Sequence, residues 1–172
     1  KSELAVLDTN ICLDLFVFHD ALASNLLKAI QDNTLIAITR EDCRSEWLRV
    51  LDYPKLALDE TEKELSKQAF DRHIRIIDPE KRDYRTLPVC RDKDDQKFME
   101  LAYDAHASCL ITKDKALLKL AIKNRKNGYF TIITPDQWIA GKHRTTIPPE
   151  IPARHKHRWR IADYRHTAVK NL

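Results

Sequence analysis

Only two glycines, Gly128 and Gly141, occur in this chain of 172 residues. A loop that cradles phosphate needs glycine where the backbone must approach the ligand closely, so P-loop and dinucleotide-binding readings are excluded. No apolar stretch approaches the ~20 residues of a membrane span, and no signal-peptide pattern opens the chain. The cysteines, Cys12, Cys43, Cys90 and Cys109, form no C-x-x-C pair, and no Cys/His set has zinc spacing. Cys12 and Cys109 lie inside apolar runs, so the four read as small core residues of a cytoplasmic, reduced protein. Internal repeats and hairpin-turn signals are missing as well.

What is present is charge, unevenly spread. The net charge is +4, yet the segment after Gly141 carries eight Lys/Arg against two acids, Glu150 and Asp163, leaving 22 bases and 24 acids in the first 141 residues. The basicity therefore belongs to the C-terminal segment. There Thr146–Pro152 has the composition of a semi-rigid extended linker. Beyond it His155, His157, Arg158, Trp159, Arg160, Tyr164 and Arg165 interleave bases with aromatics, a composition suited to gripping a nucleic-acid backbone while stacking on bases. The chain thus divides into a domain over residues 1–141 and a linker and tail over 142–172.

Within the domain, strand and helix patterns alternate. Leu4–Asp8 reads as a strand, followed by the apolar Ile11–Phe18 and a helix near Ala21–Ile30. Thr34–Thr39 reads as a second strand and Glu41–Leu51 as a helix. A longer helix spans Thr61–Ile77 with Leu65, Phe70 and Ile74 inward, then a polar loop runs from Asp78 to Asp92. Asp95–Ala107 is helical, Cys109–Thr112 a short buried strand and Lys115–Asn124 a helix. Tyr129–Ile133 is a last strand and Pro135–Ala140 a short helix. Strands alternating with helices predict an α/β fold with a parallel, helix-flanked sheet.

Acids stand where the apolar runs stop. Leu4–Leu7 leads into Asp8, and Leu110-Ile111-Thr112 into Asp114; Glu46 and Asp95 adjoin apolar helical patterns. A buried strand ending in a carboxylate delivers it to the rim where open α/β sheets bind their ligands. Four acids on one rim would repel each other without a divalent cation among them. Each also has an ordinary role: Asp8 and Asp114 as helix caps, Glu46 as a solvated helix residue, Asp95 as one of three acids beginning a helix. Periodicity does not settle which of Asp92, Asp94 and Asp95 points inward. Haloacid-dehalogenase-type phosphatases need an acid where Asn10 stands, and no middle strand ends in the Asp that a response-regulator receiver phosphorylates.

Five blocks in order, Val6-Leu7-Asp8-Thr9-Asn10-Ile11, Glu46–Leu51 with Tyr53-Pro54-Lys55, Cys90-Arg91-Asp92 through Asp95–Phe98 and Leu101-Ala102, Leu110–Leu118, and Ile133-Thr134-Pro135, resemble the PIN-domain nucleases. They are most similar to the toxin branch of toxin–antitoxin systems, the VapC-type toxins. The resemblance runs from about Leu4 to Ala140 and implies a PIN-like three-layer α/β/α sandwich with a mostly parallel central sheet. It assigns the catalytic and metal-binding roles to Asp8, Glu46, Asp95 and Asp114, choosing Asp95 over its neighbours, and supporting roles to Thr9, Asn10 and Thr112. Lys113 replaces a common glycine, and Ala116 stands where many relatives carry another Asp, which weakens the expectation of a tight second metal site.

The implied activity is a metal-dependent endoribonuclease using Mg²⁺ or Mn²⁺, hard cations that prefer oxygen ligands. Arg40, Arg44, Lys97, Lys113 and Lys115 flank the acids and are the candidates for holding the nucleic-acid backbone. The implied partners are an RNA substrate, an antitoxin protein and a second copy of the chain in a homodimer, with no membrane. Two other readings compete: a PIN nuclease of RNA processing or DNA repair without an antitoxin, and a nucleic-acid-binding PIN module with weak catalysis. A small neighbouring reading frame encoding a DNA-binding antitoxin would favour the toxin.

Overall fold

The computed structural model describes residues 2–141; the linker and basic-aromatic tail expected over 142–172 lie outside the described residues. The elements run β1 (Glu3–Leu7), α1 (Thr9–Phe16), α2 (Ser24–Gln31), β2 (Leu35–Thr39), α3 (Glu41–Leu51), α4 (Glu60–His73), β3 (Ile74–Ile76), α5 (Gln96–Asp104), β4 (Cys109–Ile111), α6 (Lys115–Leu118), α7 (Ala121–Lys126), β5 (Thr131–Ile133) and α8 (Pro135–Ile139). One-turn 3-10 helices precede α2 and α5 and follow α3. The strands form one sheet in the order β3-β2-β1-β4-β5, and every pairing is parallel. Among the described residues no helix is long and apolar enough to cross a membrane.

Strand periodicity divides the core in two, because successive side chains point to opposite faces. Ala5, Leu7, Leu35, Ala37, Cys109 and Ile111 pack on one face with Ile11, Leu13, Leu26, Trp47, Val50 and Phe70. Val6, Ile38, Leu110 and Ile132 pack on the other with Phe98, Met99, Leu101, Ala102 and Leu117. The result is a three-layer α/β/α sandwich. Nearly every α1 residue is buried, Thr9 and Asp14 among them, so the helix lies inside the fold rather than on its surface. All four cysteines are buried and unpaired, as core residues should be.

The expected Thr61–Ile77 helix is corrected at its end. It stops at His73, and Ile74-Arg75-Ile76 forms edge strand β3, with both isoleucines buried and Arg75 exposed. The ladder to β2 is extended by Ile77 N–H, which donates to the Thr39 carbonyl at 2.9 Å. Leu65, read as inward, is 61% exposed; Ser66 and Phe70 mark the buried side of α4. The expected Lys115–Asn124 helix is likewise two short helices, α6 and α7.

Candidate metal centre

β1 and β4 are neighbours at the centre of the sheet, but β1 connects onward to β2 on one side and β4 to β5 on the other. Their C-terminal ends therefore open a crevice at the point where the strand order reverses, the place where open parallel sheets bind ligands. Asp8 is the first residue past β1. Its N–H donates to the Ile111 carbonyl at 3.0 Å, so the sheet ladder itself sets the position of its side chain.

Three hydrogen bonds fix the Asp8 carboxylate. Oδ1 accepts the Thr9 N–H at 2.6 Å, and Oδ2 accepts from Asn10 Nδ2 at 3.1 Å and from Thr112 Oγ1 at 2.6 Å. Thr9 Oγ1 donates in turn to Glu46 Oε2 at 2.5 Å, tying α1 to α3. Glu46 belongs to the buried face of α3, together with Cys43, Trp47 and Val50, and is 1% exposed. Its other oxygen, Oε1, is ion-paired with Lys97 Nζ.

Asp95 ends the 3-10 turn that leads into α5, and its carboxylate makes no capping bond to that helix. Asp92 spends its side chain on the Asp94 N–H at 2.9 Å, and both Asp92 and Asp94 are exposed while Asp95 is half-buried. The structure thus settles what periodicity left open. The turn is held in place by Gln96, whose side chain accepts the Cys90 N–H at 2.7 Å and donates to the Pro88 carbonyl at 3.2 Å. One carboxylate oxygen each from Asp8, Glu46 and Asp95 lie within 4.8 Å of one another. Among the described residues no other three His, Cys, Asp or Glu side chains come together this way.

Asp114 does not join this group. Its Oδ2 caps α6 by accepting the Leu117 N–H at 3.0 Å. It stays coupled to Asp8 through Thr112, because the Asp114 N–H donates to Thr112 Oγ1 at 2.9 Å. It also remains on the same rim: burial pushes the Cys90 thiol up, and the charges of Asp95, Asp114 and Asp92 add to that rise. Ala116 is half-buried against the α5-side core.

The electrostatics of this group favour positive charge. Burial pushes the Asp8 carboxyl up to about 7; the Thr112 hydrogen bond opposes this, while the charges of Asp95 and Glu46 reinforce it. The donor set consists of carboxylate oxygens only, which suits a hard divalent cation and not zinc or copper. A cation there would repay the repulsion that raises Asp8.

The basic candidates divide. Lys115 is exposed beside the rim, and Lys113 is 48% exposed with Nζ 2.5 Å from Asp14 Oδ2. Arg40 is mostly enclosed among Asp42, Glu100 and Asp104 and helps anchor the 78–92 loop through Asp104. Arg44 is corrected outright: its side chain is fully buried and bidentate on Asp71, joining α3 to α4, so it cannot reach a nucleic acid. The partners Asp14 and Asp71 escaped the sequence reading. Asp14 follows Asn10 by one helical turn on α1, and both touch Lys113, since Asn10 Oδ1 accepts the Lys113 N–H at 3.4 Å.

Comparison with known proteins bears on the same residues. A family model described as PIN domain matches residues 5–116, which takes in Asp8, Glu46, Asp95 and Asp114. The chain is also similar to an uncharacterized protein of Methanocaldococcus jannaschii, with 28% identity over 141 residues, covering 78% of this chain and 88% of that protein.

Proposed function

Because the chain belongs to the PIN-domain family, we propose that it is a metal-dependent endoribonuclease and the toxin of a toxin–antitoxin pair. One observation carries the catalytic part: three carboxylates from β1, α3 and the turn before α5 converge within 4.8 Å at the crevice where the strand order reverses. Asp8 and Asp95 would hold Mg²⁺ or Mn²⁺, with Glu46 beside them. Such an ion would supply charge neutralisation at the scissile phosphate and activation of the attacking water.

The chain's own residues do the rest. Thr112 and Asn10 aim Asp8, and Thr9 aims Glu46, so the ligands are set before an ion arrives. Lys115, exposed, and Lys113, paired with Asp14, flank Asp114 and would hold the phosphate backbone. Asp8 and Glu46 are buried, which limits bulk water at their carboxylates, while Asp95 is half-buried. The toxin branch and its RNA substrate are supported by the five sequence blocks, and a nucleic-acid partner by the basic-aromatic composition of the tail.

Labelled single-stranded RNA and DNA of the same sequence, incubated with Mg²⁺, Mn²⁺ or a chelator, test the reading. Internal cleavage of RNA only, abolished by the chelator, is the expected result; cleavage of DNA alone or cleavage in chelator overturns it. The tail makes a separate prediction. Removing Lys142–Leu172 takes away eight basic residues, so RNA binding should weaken and its dependence on salt should flatten as fewer counterions are released. An unchanged salt slope would count against the tail as an RNA contact, and a fall in thermal stability or a change of oligomeric state would assign it to packing.

A further inference from the structure

Lys97 is the second residue of α5, yet its side chain does not run out into solvent. It passes over Phe98, with Nζ 5.4 Å from the ring centroid, donates to the Asp94 carbonyl at 2.5 Å and pairs with Glu46 Oε1. The side chain is only 15% exposed. Thr9 Oγ1 donates to the other Glu46 oxygen at 2.5 Å, so one oxygen of this carboxylate is held by a hydrogen bond and the other by an ion pair. The neighbouring lysines behave differently, Lys113 turning to Asp14 and Lys115 standing exposed.

An ammonium fixed on one of three converging carboxylates has two consequences. It cancels about one negative charge of the group that must attract a cation, and it competes for lone pairs that a metal would use. We propose that Lys97 restrains Glu46 from metal ligation, so that Asp8 and Asp95 carry the ion and the centre binds it more weakly than its three acids would allow. This rests on the metal-centre reading above. Lys97 is thus a positioning residue that sets metal affinity, and Glu46 contributes fully only when the ammonium is displaced.

Calorimetric titration of the full chain with Mn²⁺ tests this through a double-mutant cycle. Lys97→Met keeps the unbranched stem on Phe98 and removes the charge; it should bind Mn²⁺ about tenfold more tightly than the wild type. Glu46→Gln should cost roughly threefold or less in the wild type and about tenfold in the Lys97→Met background. Lys97→Arg, which retains the ion pair, should restore wild-type affinity, and Lys97→Gln replaces Lys97→Met if that variant does not fold. Equal or weaker binding by the neutral variants, or the same cost of Glu46→Gln in both backgrounds, overturns the proposal while leaving the metal centre standing. A wild type that takes up no Mn²⁺ overturns both.

Discussion

Asp8→Asn is expected to lower RNA cleavage on the order of 10³-fold or more and, in the same protein, to raise thermal stability in the absence of divalent ions. The two effects have one cause. Asp8 is buried, within 4.8 Å of oxygens from Glu46 and Asp95, and its carboxyl is pushed up to about 7 by that burial and by those charges. Asparagine keeps the shape and can still cap α1, but it removes a charge that an ion needs and that the fold without one tolerates poorly. The stability gain should be on the order of 1–3 kcal/mol at neutral pH. Asp95→Asn should abolish cleavage equally, whereas Asp92→Asn and Asp94→Asn, on exposed side chains, should leave it within a few-fold of wild type. Single-turnover cleavage and thermal melts of the four variants decide the matter. Full cleavage by Asp8→Asn or Asp95→Asn would sink the metal mechanism, and a stability loss in Asp8→Asn would make Asp8 a structural cap.

Stability and metal affinity should move in opposite directions with pH. Folding raises the Asp8 pKa from 3.8 to about 7, so the native state holds a proton that the unfolded chain has already released. Stability from this group is fully present below pH 3.8 and is lost as the pH rises through about 7. The slope due to one such proton reaches about 1.4 kcal/mol per pH unit, and the difference between wild-type and Asp8→Asn melts isolates it from the other carboxylates. An ion must displace the same proton, so Mn²⁺ affinity should climb by up to about tenfold per pH unit below 7 and level off above it. Melts and Mn²⁺ titrations between pH 4 and 8 measure both. Parallel pH profiles for wild type and Asp8→Asn would contradict the assignment.

The parts of the fold written in periodicity were legible in the sequence. β2 and α3 appeared nearly as read, and the alternation of elements gave the parallel sheet, because strands buried on both faces produce short apolar runs flanked by helical patterns. β3 was absorbed into a helix because Ile74 continues the spacing set by Phe70, and three residues are too few for a period of two to assert itself. Asp8 was visible from its place at a strand end. Glu46 was not decidable locally: a carboxylate at 1% exposure depends on Thr9 and Lys97, partners that only the tertiary structure brings to α3. Arg44 misled for the same reason, since Asp71 lies far along the chain and turns an arginine that resembles a surface charge into a buried tie. Asp114 took the capping role that its sequence context equally supported.

Catalysis turns on a cation among Asp8, Glu46 and Asp95. A crystal grown with Mn²⁺, measured at a wavelength where manganese scatters anomalously, locates that ion without reference to activity. An anomalous peak is expected in contact with the carboxylates of Asp8 and Asp95, absent from crystals of Asp8→Asn. A peak bound elsewhere on the chain, or none between these two acids at saturating Mn²⁺, would contradict it.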